Sequence, residues 1–128
     1  MLNEFLFFYM LIVHFLADFA LQTNDQALNK GAGHSFFNKW LFYHVGTYTL
    51  IWFFSILAIS QMYNLTIWGC VYFSMITFIC HYITDWVTSR VGKPFWSKQD
   101  YHNGFAVVGF DQILHYTHLY FTFKYFLL

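Results

Sequence analysis

The chain has 128 residues, of which 59% are hydrophobic, 26% aromatic and only 9% charged, with six basic and six acidic side chains. Soluble domains carry about 25% charged residues, and a small domain leaves a large share of its surface wet, so the composition excludes a water-soluble globule and predicts an integral membrane protein. The balanced charge, without a basic patch, excludes nucleic acid as a partner.

A bilayer-spanning helix needs about 20 mostly apolar residues. Residues 3–21, 36–59, 65–87 and 105–127 meet that requirement. They predict an all-α polytopic membrane protein in which residues 1–128 form a single compact four-transmembrane-helix bundle. The first segment lacks a positively charged leading region and is expected to stay as a membrane helix; it carries His14 and Asp18 near its end. The second carries His44 early. A very short connection around Ser60 to Asn64 leads to the third, which carries Cys70, Cys80, His81 and Asp85. The two cysteines lie ten apart, which is neither a disulfide framework nor a metal-type spacing. The fourth carries Asp111, His115 and His118, with Lys124 near its far end.

Residues 22–35 and 88–104 hold most of the turn-forming residues, including the only proline, Pro94, and read as polar loops. Lys30, Lys39, Arg90, Lys93 and Lys98 all fall on the side of these loops, whereas Lys124 falls on the other. The positive-inside rule makes the loop side cytoplasmic, with both termini outward. Trp40, Trp68 and Trp86 stand where interfacial anchors are expected.

His14 and Asp18, His81 and Asp85, and Asp111 and His115 are each spaced i, i+4, so each pair shares a helix face one turn apart. The letters invert in the fourth segment, where the helix direction also inverts. Three aspartates therefore form a layer nearer the cytoplasm and three histidines a deeper one, joined by His44. Ionised carboxylates crowded in an apolar bundle repel unless their pKa values rise or cations neutralise them. Carboxylate and imidazole ligands suit a divalent first-row metal such as zinc, manganese or iron. The expected ligands are His14, Asp18, His44, His81, Asp85, Asp111 and His115, for one ion or for two sharing a bridging carboxylate. Gln22 and Gln112 are placed to orient ligands. His118, three residues after His115, is a further ligand, a proton shuttle or a packed histidine. His34 and His102 read as exposed loop residues. HFLADFAL at 14–21 and HYITDWVT at 81–88 also form a weak internal repeat.

The series HFLADFALQ at 14–22, Lys30, Tyr43-His44, HYITDW at 81–86 and GFDQILH at 109–115 resembles a small bacterial and phage membrane-protein family, catalogued as domain of unknown function 3307. The resemblance covers nearly the whole chain and implies a four-helix inner-membrane protein of a bacterium or phage. Family members often carry a lysine shortly after the second histidine–aspartate pair, where this chain has Thr88 and Arg90. The pattern is also similar, by analogy, to membrane-bound metal-dependent hydrolases.

Three functions follow as expectations. The first is a metal-dependent hydrolase acting on a lipid or other amphiphile at the cytoplasmic leaflet, with Asp18, Asp111 or His118 as the catalytic acid–base group. Arg90, Lys93 and Lys98 would suit an anionic headgroup. The second is a proton or metal-ion conduit. The third is a structural or regulatory phage membrane factor whose metal only locks the helices together. Membrane lipids are the expected partners, with a homodimer or a host membrane protein as further ones.

Overall fold

The computed structural model describes residues 3–128, and every regular element among them is helical. Met1 and Leu2, the first two residues of the expected domain, lie outside the described residues. The chain forms α1 (Glu4–Phe15), α2 (Asn24–Asn29), α3 (Lys39–Ile59), α4 (Ile67–Ser97) and α5 (Tyr101–Leu127). A π-helical turn, Leu16–Ala20, continues α1, and a 3-10 turn, Ser60–Tyr63, continues α3. Each α-helix starts on a residue whose short polar side chain accepts a free backbone N–H: Asn3, Thr23, Asn38, Thr66 and Asp100. At Thr23 the cap is reciprocal, because the Gln26 side chain accepts from the Thr23 N–H.

The four long helices alternate in direction, and side-chain pairs set their register. Between α1 and α3 the pairs run from Asn3 with Tyr63, through Tyr9 with Ser55 and His14 with Tyr48, to Asp18 with His44. Between α4 and α5 they run from Phe73 with Phe123, through Asp85 with His115, to Gly104 against Trp96. One half of the interior is apolar: Leu6, Met10, Trp52, Ile56, Phe73, Leu119 and Phe123 are fully or almost fully buried. The Trp52 ring lies 5.9 Å from Phe73 and 5.5 Å from Phe123; such aromatic pairs contribute about 0.5–1.5 kcal/mol each beyond area burial. The other half holds the histidines and aspartates.

The outward surface is also apolar. Phe8 is 59% exposed, Phe54 63% and Phe121 60%. Lys39–Tyr63 and Ile67–Ser97 are long and apolar enough to cross a membrane.

The helix boundaries depart from the sequence expectation at both polar stretches. Residues 88–104 are not a loop. Helix α4 runs ten residues past the expected end at residue 87, through Pro94, and only residues 98–100 break the chain before α5. A proline near a helix end removes one hydrogen bond, and packing against α5 offsets the loss. Gly104 lets the Trp96 indole lie flat on α5, since a Cβ there would meet the ring at 3.0 Å. Gln99, with φ of 58°, makes the reversal. Residues 22–35 also contain structure, namely α2.

That first polar stretch is fastened down as a strap. The Asn38 amide donates to the carbonyls of Asn29 (2.9 Å), Lys30 (3.3 Å) and Ala32 (2.9 Å), while its oxygen caps α3. From α4, Trp86 and Arg90 both donate to the Ser35 carbonyl, and the Tyr82 hydroxyl donates to the Phe36 carbonyl. Asn38→Ala should destabilise the fold by about 1–2 kcal/mol, with protease cleavage appearing first between residues 29 and 38. An unchanged cleavage pattern would show that the strap is held elsewhere.

Candidate metal centre

Asp18, His81 and Asp85, from two of the i, i+4 pairs, meet at His44, which α3 contributes from the antiparallel direction, and the Asp111–His115 pair adjoins them. Asp18 reaches it from the π-helical turn, a wide-turn geometry frequent at functional sites. His44 Nε2 lies 3.0 Å from Asp18 Oδ1, 3.2 Å from His81 Nε2 and 3.2 Å from Asp85 Oδ2. His81 Nε2 lies 3.5 Å from both of the same carboxylate oxygens. All four residues are buried, and their ligand atoms fall within 4.8 Å of one another. An ion with bonds of about 2.0–2.1 Å to four tetrahedral ligands would separate those ligands by about 3.3 Å. Five of the six separations, between 3.0 and 3.5 Å, lie near that edge, and the sixth, between the two carboxylate oxygens, is within 4.8 Å. As placed, the same atoms also pair among themselves as imidazole–carboxylate contacts. One hydrogen on a ring nitrogen can serve only one of the neighbours gathered there.

Two further groupings adjoin this one. Asp18, Asp111 and His115 form one, and His81, His115 and His118 the other. His115 Nε2 stands 3.0 Å from Asp85 Oδ1 and 3.3 Å from Asp111 Oδ2. Asp111 also accepts from the Thr88 hydroxyl. His118 approaches His115 from the opposite ring edge, with Nε2 3.2 Å from His115 Nδ1, so it faces away from the carboxylates.

Among the described residues, His14 belongs to none of these groups. The Gln112 amide nitrogen donates to Asp18 and Asp111, at 3.1 Å each, which leaves its oxygen to accept from His14 Nε2 at 2.7 Å. His14 Nδ1 then accepts from the Tyr48 hydroxyl at 2.8 Å. His14 therefore orients Gln112, and Gln112 orients two carboxylates. Gln22, the other glutamine with an expected orienting role, has a buried Oε1 without a hydrogen-bond partner. His34 and His102 are exposed, as the loop-side reading anticipates.

Two residues of the cluster escaped sequence reasoning. Tyr48 is fully buried one turn beyond His44 and stacks on His81 at 3.8 Å, while His81 stacks on His115 at 4.1 Å. The column holds the His81 ring, whose Nδ1 has no hydrogen-bond partner; His44, outside the column, has an unpartnered Nδ1 as well. The signal for Tyr48 was its i, i+4 spacing from His44. Lys30, counted only as a loop cation, drops from the strap into the site. Its Nζ donates to Asp85 Oδ2 at 2.8 Å and stands 3.5 Å from His44 Nε2. Its signal was its place in the family-like series. Burial alone would lower the lysine pKa, but the charges of Asp85 and Asp18 outweigh burial and raise it. The stability it contributes is fully present below the ordinary lysine pKa and is lost as pH rises from there through the raised value.

A cavity of about 650 Å³ adjoins the cluster, between the strap, the π-helical turn, α4 and α5. Asp18, Lys30, Asp111 and Gln112 line one end, and Phe19, Leu28, Trp96, Val107 and Val108 line the walls. The arrangement can hold a metal ion, and it gives two of the carboxylates access to a space of ligand size.

No curated protein and no solved structure matches the chain. A family model described as "Protein of unknown function (DUF3307)" matches residues 6–127, nearly the whole length, and with the same histidine and aspartate elements inside that match the chain belongs to this family.

Proposed function

We propose that the chain is a four-span membrane protein whose Asp18, His44, His81 and Asp85 hold one divalent ion, and that it hydrolyses an amphiphile entering from the cytoplasmic leaflet. The observation that carries this reading is the close spacing of four buried ligand atoms, on Asp18, His44, His81 and Asp85, with Asp18 also lining the adjoining cavity. The apolar outward faces of all four long helices support the membrane assignment. The lysine and arginine bias toward the end that holds the site supports a cytoplasmic placement.

Charge supports one ion over two. Asp18, Asp85 and Asp111 bring three negative charges, and Lys30 offsets one. With neutral imidazoles, a single dication completes neutrality, whereas a second would leave an excess of positive charge in a buried site. The donor set of two nitrogens and two oxygens suits zinc, manganese or iron. With those four protein ligands in place, such an ion would supply Lewis acidity to water or to a carbonyl or phosphoryl oxygen only at a further coordination position, by expanding beyond four ligands. Asp111, held by Thr88 and Gln112 at the cavity edge, is the group placed to take a proton from water. His118, behind His115, is placed to relay a proton out of the cluster. The conduit reading is weakened by the far half of the bundle, where Trp52, Phe73, Leu119 and Phe123 fill the interior and the buried polar side chains among the described residues are hydroxyls such as Ser74, Thr77 and Thr122, with no titratable relay.

Elemental analysis of the detergent-purified protein tests the reading. The expected result is one zinc, manganese or iron ion per chain, removable by chelator with loss of activity toward lipid substrates. A folded, active and metal-free protein would overturn it.

A further inference from the structure

The cavity beside the cluster has a chemistry of its own. Its lining cations are Lys30 and Lys93. Lys30 is committed to Asp85 at 2.8 Å, whereas Lys93 has no ion-pair partner among the described residues and stands exposed at the cavity's edge. Ser89 Oγ and Gln22 Oε1 are buried atoms with no hydrogen-bond partner, and both residues line the same cavity. A hydroxyl can donate to an anion, and an amide oxygen asks for a donor such as an alcohol. Phe19, Leu28, Trp96, Val107 and Val108 give the walls an apolar surface that suits a hydrocarbon chain.

Building on the metal-hydrolase reading, we propose that the substrate is a phosphodiester lipid with a hydroxyl-bearing headgroup. Its phosphate faces Lys93 and Ser89, its headgroup hydroxyl meets Gln22, and its chains lie along the apolar walls. A neutral carboxylic ester would leave the Lys93 ammonium and the Ser89 hydroxyl without an anionic counterpart. A zwitterionic lipid without a hydroxyl would leave the Gln22 oxygen unserved. In the reaction the water oxygen bonds to phosphorus and one P–O ester bond breaks, its electron pair going to the alcohol oxygen. Asp111 takes one water proton and passes it to that alcohol, and the other stays with the phosphomonoester. No oxidant or further reactant is needed.

The test uses metal-loaded full-length protein reconstituted in vesicles of phosphatidylglycerol or of phosphatidylcholine, followed by phosphorus NMR and by fatty-acid analysis. The expected result is a phosphomonoester signal from phosphatidylglycerol, with phosphatidylcholine cleaved at least about tenfold more slowly. Lys93→Gln should raise KM about tenfold, with a smaller effect on kcat and with the metal content retained. Release of fatty acid in place of a phosphomonoester, equal cleavage of both lipids, or an unchanged KM in Lys93→Gln would overturn the substrate assignment and leave a metal hydrolase of another specificity. Failure of the metal-loaded protein to cleave either lipid would overturn the substrate assignment. Absence of bound metal would strike the underlying reading first.

Discussion

Asp85→Asn is expected to lower folding stability by about 3–5 kcal/mol, the range for breaking a buried ion pair from one side. Asp85 is 1% exposed and is held from both oxygens: Lys30 Nζ donates to Oδ2 at 2.8 Å, and His115 Nε2 stands 3.0 Å from Oδ1. Removing the charge leaves the Lys30 ammonium, 20% exposed, without its ion-pair partner. Lys30→Met should cost a similar amount, because three carboxylates then share a buried site with no fixed cation. The double variant Lys30→Met with Asp85→Asn should recover much of the loss. Removing both charges eliminates the uncompensated one, and a pair replaced as a unit is often close to neutral. The measurement is a denaturant titration of chelator-treated protein in detergent, run as a double-mutant cycle. Costs that add to within about 0.5 kcal/mol would show that the two residues are not coupled, and the strap would then have no electrostatic hold on the site.

The second large effect concerns metal affinity and separates ligands from the residues that orient them. His81→Ala should bring the metal content from one ion per chain to none detectable, since it removes one of four ligands from a buried set. Gln112→Ala should keep the ion but weaken it by about 10–100-fold, the range for residues that position ligands. It frees Asp18 and Asp111, which the glutamine amide holds at 3.1 Å each. His14→Ala should behave like Gln112→Ala. The sequence places His14 among the ligands, as the partner of Asp18, yet its ring nitrogens are engaged by Tyr48 and Gln112. Competition titration with a chromophoric chelator measures all three. Complete loss of metal in His14→Ala would return that residue to the ligand set.

The contrast between these residues shows where sequence reasoning reached and where it stopped. Four apolar stretches, the i, i+4 pairs and the reversal of letters at Asp111 and His115 are local patterns, and a helix converts such patterns into geometry by its 3.6-residue period. That conversion was enough to bring Asp18, His44, His81, Asp85, Asp111 and His115 into one cluster. It was enough for the short reversal near Ser60, where Asn64 takes a left-handed φ of 52°. It failed at residues 88–104, where proline, glycine and polar side chains read as a loop. The contact of Trp96 with Gly104 offsets the weak local propensity, and no local pattern records that contact.

By itself, then, the sequence determined that the chain is helical, that its histidines and aspartates lie on shared faces, and that they gather in one half of the molecule. Periodicity carries this information, and periodicity needs only neighbours along the chain. The tertiary structure decided the rest: which imidazole nitrogen faces which carboxylate, that His14 turns to Tyr48 and Gln112, and that Lys30 enters the site from the strap. Lys30 and Asp85 stand 55 residues apart, and His14 and Gln112 stand 98 apart. Their meeting depends on how the helices dock and on the strap that Asn38 clamps, and a helical repeat holds no record of either.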